Sequence, residues 1–315
     1  MRKCLLLGSS GFVGNCLKDY SWKVSDLSFL PSPIDSKIRQ ERVWDVTRKS
    51  SLLPKFDVII HAATPASAVL NSENPDEMYR LNVLAMENVI EFAARHQNPP
   101  IVLFTSSGAV YGEMPDHLER FSEGWERPQS SVPLSSAYAK GKVDAEALLT
   151  KATLDGKCQG LIARLFAFSG VHLPLDRHFA IGNFVRDAVC DQSITIRGNG
   201  SPIRSYMDGQ DMSEWIFQII ESGSPEEIYH VGSERAISIK DLATLVSNRY
   251  ELLTDNPVKV DILDQSSPLD GVSRYVPSTE RTRTQLNLKE NVDLEQSIDQ
   301  MIINGMKTYG KTTSD

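Results

Sequence analysis

The feature that most constrains the fold is a glycine turn that directly follows the first apolar run of the chain. Residues 3–7 form that run, and three glycines with GxxGxxG spacing come next, at Gly8, Gly11 and Gly14. This order predicts a buried strand, a tight turn and the start of a helix. Gly8 allows the turn, Gly11 lets the backbone approach a pyrophosphate, and Gly14 lets helix and strand pack closely. Because helix amides and the helix dipole hold anions, the turn predicts dinucleotide binding.

Short apolar runs alternate with helical patterns along the rest of the chain. Runs of this kind are typical of parallel strands that are covered on both faces. The predicted strands are 3–7, 23–27, a third one ending at residues 44–46, 57–61, 101–105, 161–166 and 228–231. The predicted helices are one opened by the glycine turn and those at 76–96, 137–152, 181–190, 210–222, 239–250 and 294–309. The alternation predicts an α/β fold with a Rossmann-type, doubly wound parallel sheet.

The character of the chain changes after residue 166, where Gly, Pro, His and Asn become frequent. We therefore expect a nucleotide-binding core at 1–166, to which 205–233 return. Residues 167–204 and 234–315 are expected to form a smaller, interleaved substrate-binding region.

Composition excludes several classes of function. The net charge is −8 and no dense Lys/Arg run is present, which disfavours a nucleic-acid partner. The four cysteines have neither CxxC pairing nor metal-ligand spacing, so no metal site is expected. The first apolar run is too short for a signal peptide or a membrane span. We expect a soluble, cytoplasmic protein without a membrane partner.

A tyrosine and a lysine four residues apart suggest redox chemistry. Tyr138 and Lys142 would share one face of a helix. A phenol titrates near pH 10 in water, and a nearby ammonium together with the positive nicotinamide lowers that pKa. Ser107 follows an apolar strand, at the sheet edge where ligands bind, so its hydroxyl can bond the oxygen whose proton Tyr138 removes. These three residues are the predicted catalytic group.

In combination, these motifs resemble the extended short-chain dehydrogenases, the NAD-dependent epimerase/dehydratase group that acts on nucleotide sugars. The resemblance covers essentially the full length and includes the glycine turn, Asp45-Val46, His61-Ala62-Ala63, Asn82, residues 106–112, residues 138–142, Arg164-Leu165-Phe166, Arg204-Ser205-Tyr206 and Val231-Gly232-Ser233. It implies an NAD cofactor, with NADP possible, a nucleotide-sugar substrate, and a homodimer formed through helices 76–96 and 137–152.

Two acidic residues are candidates for contact with the adenosine half of the cofactor. Asp26 lies at the end of the second predicted strand and would read the ribose, although its spacing from Gly14 is short. No arginine follows it directly, which favours NAD, yet Lys37 or Arg39 could reach a 2′-phosphate. Asp45 would bond the adenine amino group. The predicted cofactor-binding residues are Gly8, Ser10, Gly11, Phe12, Val13, Gly14, Asp26, Asp45, Val46, Ala62, Ala63, Thr64, Asn82, Thr105, Tyr138, Lys142 and Phe166.

The substrate is expected beyond the nicotinamide, along the C-terminal region. The predicted substrate-binding residues are Ser107, Gly108, His178, Asn183, Phe184, Arg204, Tyr206 and Arg274. Arginine suits a diphosphate because its planar fork bonds phosphate oxygens bidentately. Residues 194–203 fall where the family packs the nucleotide base. His178 lies in an unusual loop, where it could bond the sugar or be structural.

The neighbours of Ser107 restrict the reaction. In the family, 4,6-dehydratases carry an Asp-Glu pair directly after this hydroxyl, and uronate decarboxylases keep the Glu; here the positions are Gly108 and Ala109. Ala109 and Asn183 also replace the Cys and His of the GDP-fucose synthase type. Hydride transfer at a sugar carbon, expected to be C4, remains, with a 4-epimerase as the main hypothesis and a 4-ketoreductase as the alternative. Ala167, where UDP-galactose-type epimerases have Asn, predicts an altered sugar pocket. A non-catalytic dinucleotide sensor or scaffold is the hypothesis from a different class.

Overall fold

Strands and helices alternate along the chain. The computed structural model describes residues 2–21, 27–29, 44–49, 53–64, 67–126, 136–177, 179–225, 227–264 and 272–309. The strands are β1 (Arg2–Leu7), β2 (Leu27–Phe29), β3 (Val58–His61), β4 (Ile101–Ser107), β5 (Gln159–Leu165), β6 (Phe168–Ser169), β7 (Ile194–Ile196), β8 (Ile203–Arg204), β9 (Met207–Asp208), β10 (Ile228–Val231), β11 (Ile237–Ser238), β12 (Val260–Ile262) and β13 (Arg274–Tyr275). The helices are α1 (Phe12–Tyr20), α2 (Ala68–Glu73), α3 (Pro75–Ala93), α4 (Ala137–Leu154), α5 (Ala180–Val189), α6 (Gly209–Ser222), α7 (Ile239–Thr254), α8 (Glu280–Leu286) and α9 (Leu294–Tyr309).

Six parallel strands form the central sheet, in the order β10-β5-β4-β3-β1-β2. All of β3 and nearly all of β4 are buried, as expected for strands covered on both faces. The chain leaves β1 for β2 on one side and returns to β3 on the other. A topological switch point, where open α/β sheets bind ligands, therefore lies at the carboxyl ends of β1 and β3. The prediction of a doubly wound parallel α/β sheet is confirmed.

Some predicted boundaries differ from the observed ones. β4 continues past residue 105 to Ser107, because Ser106 and Ser107 still pair with β5. β5 ends at Leu165, so Phe166 follows the strand. The observed β2 begins where the predicted strand 23–27 ends, and residues 22–26 lie outside the described part of the chain. Residues 44–49 form a turn, and the residues that would form a strand before them lie outside the described part as well.

Helices cover both faces of the sheet. α3 and α4 pack against each other on one face, over a core that includes Ile59, Met86 and Phe104. α1 and α6 cover the other face, where Leu17 and Trp215 are fully buried. The carboxyl edge of the sheet carries the glycine turn and Ser107.

A second apolar core lies among α5, α7 and α9. It includes Ile181, Val246 and Ile298, all fully buried, and the β7–β12 pair adjoins it. A small sheet in the order β11-β8-β13 brings Arg204 and Tyr275 into register. Tyr206 also belongs to this core, although the predicted domain division assigns residue 206 to the nucleotide-binding part. The division itself stays a prediction.

The sequence patterns did not predict α2, α8 or the two-residue strands, which are too short to show a period. Within the described ranges, none of the helices is long and apolar enough to cross a membrane.

Candidate active site

The glycine turn sits between β1 and α1, at the switch point of the sheet. Gly8 has a φ of +84°, and a Cβ there would come closer than 3.0 Å to the carbonyl of Ala62. A Cβ on Gly14 would come equally close to the backbone of Gly8. A Cβ on Gly11 would meet only the Gly8 oxygen, at an ordinary 3.5 Å. Internal packing thus explains Gly8 and Gly14, whereas Gly11 keeps an exposed surface free of a side chain.

The N-terminus of α1 is available to an anion. Gly11 is its N-cap and makes no side-chain capping hydrogen bond. The first N–H groups of a helix have no partner within the helix, so those of Phe12, Val13 and Gly14 can point at a ligand. The adjacent Ser10 is exposed, and the Phe12 ring stacks on Phe168 at 5.8 Å between centroids. This geometry fits a pyrophosphate group.

Of the two acidic residues predicted to contact the adenosine, the structure describes only Asp45. Asp26 lies outside the described residues. The Asp45 carboxylate accepts hydrogen bonds from the N–H and hydroxyl of Thr47, at 3.0 and 2.6 Å, which lower its pKa. Val46 is buried, and its carbonyl accepts a bond from Asn88 at 2.8 Å. Asp45 therefore stabilises a turn, and its contact with adenine stays a prediction.

The exit of β3 carries residues 61–64 toward the glycine turn. The Ala62 N–H bonds the Leu7 carbonyl at 3.0 Å, and a Cβ on Gly8 would also approach Ala63. His61 is fully buried and stacks on Phe104, and neither ring nitrogen has a hydrogen-bond partner among the described residues. Burial, with the charge of Lys142 added, lowers its pKa to about 3, so the ring stays neutral.

Asn82 lies in the contact between α3 and α4 rather than on the surface. It is fully buried and donates to the Met78 carbonyl at 2.9 Å, while its Oδ1 atom has no hydrogen-bond partner in the part of the chain that the structure describes. A Cβ on Gly141 would lie 2.8 Å from the Asn82 side chain, so the two residues allow the helices to approach. Its predicted position beside the cofactor is not tested by this contact.

Lys142 is held at the carboxyl ends of the central strands. Its ammonium donates to Thr64 Oγ1 at 2.7 Å and to the Thr105 carbonyl at 2.8 Å. The same atom lies 5.6 Å from the centre of the Tyr138 ring and 4.5 Å from that of Phe104. The side chain is 2% exposed, and this burial lowers its pKa to about 7 although Glu146 opposes the shift.

The start of α4 positions Tyr138. Ser136 caps the helix by accepting the Ala139 N–H, and Asn71 of α2 accepts the Tyr138 N–H at 2.9 Å. Burial raises the pKa of Tyr138, while a hydrogen bond to Ser107 opposes the rise. The structure therefore brings together the three predicted catalytic residues, from β4 and from two successive turns of α4.

Ser107 has two further neighbours. Its Oγ atom accepts the Ala109 N–H at 3.1 Å and lies 3.4 Å from the hydroxyl of Tyr275. Next to it, a Cβ on Gly108 would lie 2.6 Å from the Phe166 ring and 2.8 Å from that same hydroxyl. The sequence analysis selected Arg274 and missed Tyr275, because a two-residue strand far along the chain carries no motif that points to Ser107.

A network of buried polar side chains lies behind the site, and the sequence analysis did not predict it. Ser106 and Arg164 both bond Glu146, with Arg164 Nη2 at 2.6 Å from the carboxylate. The guanidinium of Arg164 lies over the Tyr111 ring, and the Tyr111 hydroxyl bonds His230 Nε2 at 2.6 Å. Because Glu146 lies one turn beyond Lys142 on α4, this network holds in place the helix that carries Tyr138 and Lys142.

Arg204 and Tyr206 lie near Tyr275. Arg204 donates to the carbonyls of Ile203 and Ser273, at 2.8 and 3.1 Å, and no ion-pair partner of it is found among the described residues. Burial lowers the pKa of Arg204 and raises that of Tyr206 to about 12. A half-buried guanidinium without a carboxylate is a candidate anion site.

The other predicted substrate residues are more dispersed. Arg274 precedes Tyr275 in β13, so it projects from the opposite side of that strand, away from the side that Arg204 and Tyr275 share. Phe184 is buried in the second core, and the Asn183 side chain accepts a bond from Arg186 at 3.3 Å. His178 lies outside the described residues.

Comparison with known proteins places this geometry in context. A family model described as "NAD dependent epimerase/dehydratase family" matches residues 4–232. The chain is 27% identical over 256 residues to UDP-glucuronic acid decarboxylase 6 from Arabidopsis thaliana, which covers 78% of this chain and 73% of the relative. The fold is similar to RMD from Pseudomonas aeruginosa complexed with NADPH, with a TM-score of 0.83 and 20% identity over 98% of this chain and 100% of the other. It is also similar to UDP-glucose 4-epimerase from Thermotoga maritima, with a TM-score of 0.80 and 17% identity over 97% and 99%.

Proposed function

Because this chain belongs to the NAD dependent epimerase/dehydratase family, we propose that it is a nucleotide-sugar oxidoreductase that transfers hydride at C4 of the sugar ring. The observation that carries this proposal is the convergence of Ser107, Tyr138 and Lys142 at the carboxyl end of β4. All three are present and hydrogen-bonded, which argues against a non-catalytic sensor or scaffold.

The residues at the switch point fit a nicotinamide dinucleotide. The glycine turn and the free N–H groups of α1 would hold the pyrophosphate, and Thr64 and Lys142 would face the nicotinamide ribose. When bound, the nicotinamide ring supplies or accepts the hydride. NAD is the proposed cofactor, with NADP as the alternative, since relatives of the same fold are complexed with NAD and with NADPH.

The protein's own residues handle the proton. Tyr138 takes the proton from a sugar hydroxyl during oxidation and returns it to the carbonyl oxygen during reduction. Ser107 hydrogen-bonds the same oxygen and so orients it toward Tyr138. The ammonium of Lys142 favours the phenolate form of Tyr138, which burial alone disfavours.

Elimination of water lacks its acid and base here. Gly108 and Ala109 carry no titratable group, and the space beside Gly108 is filled by Phe166 and Tyr275. The buried carboxylate of Glu146 is engaged by Arg164 and Ser106.

Arg204 supports a diphosphate-linked substrate. Arg204 on β8 pairs with Tyr275 on β13, and both side chains project from the same face of this small sheet. Since the Tyr275 hydroxyl contacts Ser107, one ligand can reach both the guanidinium and the Ser107 hydroxyl. Residues 194–203 are the proposed base-binding segment, and Asn183, Phe184 and Arg274 remain proposed substrate residues. A 4-epimerase is the first candidate. A 4-ketoreductase is the second, favoured by the likeness to a protein complexed with NADPH.

The test is turnover of a panel of nucleotide sugars and nucleotide-linked 4-keto sugars. Absorbance of the reduced nicotinamide and chromatography of the sugar products are followed together. Isomerisation without net cofactor use supports the epimerase, and stoichiometric oxidation of NADH or NADPH supports the ketoreductase. Tyr138→Phe is expected to lower kcat at least about 100-fold. Undiminished turnover by that variant would falsify the catalytic assignment.

We also propose a homodimer formed through α3 and α4. Tyr79 and Val143 are 38% and 37% exposed on these helices, and the Tyr79 hydroxyl bonds Asp144 at 2.6 Å across them. Light scattering on Tyr79→Glu/Val143→Glu is expected to give half the mass of the unmodified protein. Equal masses for the two would exclude this face as the interface.

A further inference from the structure

Tyr275 is a half-buried tyrosine beside Ser107, and none of the sequence motifs includes it. Its hydroxyl lies 3.4 Å from Ser107 Oγ and 3.5 Å from the carbonyl oxygen of Leu165. Both distances are long for hydrogen bonds, as is common before a substrate tightens an active site. Its ring packs on Phe166 with centroids 4.9 Å apart, which holds the hydroxyl in place.

The hydrogen-bond capacities of these groups give the contact a direction. Either hydroxyl can donate in the Ser107–Tyr275 contact, and Ser107 can bond a carbonyl oxygen of the sugar only if it keeps its own proton. The direction that fits the proposed function is therefore donation from Tyr275 to Ser107 Oγ. The two lone pairs of Ser107 then receive the Tyr275 proton and the Ala109 N–H at 3.1 Å, and the Ser107 proton is left for the reacting oxygen.

Gly108 is the residue that permits this arrangement. A Cβ at that position would lie 2.8 Å from the Tyr275 hydroxyl and 2.6 Å from the Phe166 ring. Any larger side chain there would displace the phenol from Ser107. The small residue beside the serine and the phenol on the distant strand are therefore parts of one arrangement.

We infer that Tyr275 is a positioning residue, which holds the hydroxyl of Ser107 in the orientation needed to bond the reacting sugar oxygen. This inference rests on the proposed function. Burial raises the pKa of Tyr275, so it remains a neutral phenol while Tyr138 exchanges the proton. Two tyrosines at one serine thus have different tasks.

The test is a double-mutant cycle of Tyr275→Phe and Ser107→Ala, measured as kcat on whichever nucleotide sugar the panel identifies. Tyr275→Phe keeps the ring on Phe166 and is expected to lower kcat roughly tenfold, the loss of one ordinary hydrogen bond. KM for the cofactor should stay unchanged. In the Ser107→Ala background the same substitution should have no further effect, since its action passes through Ser107. Equal losses in both backgrounds, or no loss in either, would overturn the proposal.

The matched control is Tyr250→Phe, which removes a hydroxyl bonded to Asp191 in the second core. It should leave kcat unchanged. If none of the nucleotide sugars is turned over, the proposed function is wrong, but the contact between Tyr275 and Ser107 can still be tested. The same four proteins of the cycle are then compared by their free energy of unfolding without cofactor. Non-additive losses there support the Ser107–Tyr275 contact, and strictly additive ones refute it.

Discussion

At the scale of single residues, burial sets the acid–base properties of the site. Lys142 is almost fully enclosed, and its pKa of about 7 means that the ammonium is lost near neutral pH unless its partners hold it. Thr64 Oγ1 and the Thr105 carbonyl accept hydrogen bonds from that ammonium and thereby favour the charged form.

The first prediction concerns pH. Because the charged form of Lys142 assists Tyr138, kcat/KM should fall as pH rises through about 7. Thr64→Val removes an acceptor of the ammonium and should move this descending limb to lower pH. Thr244→Val, which removes an exposed hydroxyl on α7, serves as the control and should leave the profile in place. A profile that is flat to pH 9 would show that deprotonation of Lys142 does not limit the reaction.

A second residue-scale prediction concerns Gly108. Gly108→Ala introduces a methyl 2.6 Å from the Phe166 ring, and overpacking of this kind costs about 1–3 kcal/mol of unfolding free energy. Activity should fall as well, because Tyr275 is displaced. Gly124→Ala is the matched control, since none of the described residues has an atom within 4 Å of a Cβ there. Denaturant unfolding of both variants measures the loss of stability, and steady-state kinetics measures the loss of activity. Equal stability of the two variants would contradict the packing argument.

At the scale of elements, the three glycines at the start of α1 have two different roles: some allow the turn to pack, and one leaves the backbone accessible to a ligand. Gly8 and Gly14 are required by the backbone of the turn itself, whereas a Cβ on Gly11 would make an ordinary contact with the Gly8 oxygen at 3.5 Å. Sequence spacing treats the three alike, and only the packing around each separates a structural glycine from one that serves a ligand.

The third prediction follows from this division. Gly11→Ala should leave the free energy of unfolding within about 0.5 kcal/mol of its original value and weaken cofactor binding. Gly14→Ala should destabilise the free protein by about 2 kcal/mol or more, because the atoms it meets are backbone. Thermal unfolding without cofactor and fluorescence titration with NADH measure the two effects. If Gly11→Ala binds NADH normally, the anion does not sit on this turn.

At the scale of the whole molecule, two buried histidines link stability to pH. His61 and His230 both have a pKa of about 3 in the folded protein, chiefly because burial penalises the charged form. The unfolded chain binds these protons near pH 6.5, so protonation favours unfolding. The stabilisation is therefore complete above pH 6.5 and is lost progressively below it.

The fourth prediction puts a magnitude on this linkage. Between pH 7 and 5.5 the free energy of unfolding should fall by roughly 2.5 kcal/mol, about half from each histidine. His61→Leu should remove about half of this slope, while replacement of the exposed His117 by Asn should leave it intact. Urea unfolding at several pH values gives the slope directly. An unchanged slope in His61→Leu would mean that another group carries the linkage.

How much was predictable from sequence differs between the fold and the site. Apolar runs and helical periods are local, so the positions of β1, β3, β4, β5 and β10 followed from them. The ends of strands were less certain, since continued pairing with β5 rather than composition extends β4 to Ser107. The elements of two or three residues, including β8 and β13, have no period to detect.

By itself, the sequence determined the alternation of strands and helices, the glycine turn and the choice of Ser107, Tyr138 and Lys142 as the proposed catalytic residues, because each follows from a pattern that is local to its own segment. Only the tertiary structure decided which groups stand around them. Tyr275 reaches Ser107 across 168 positions of the chain, and Arg164, Tyr111 and His230 meet through pairings among distant strands. Such contacts are set by how the elements pack, and residue spacing within one segment carries no record of that packing.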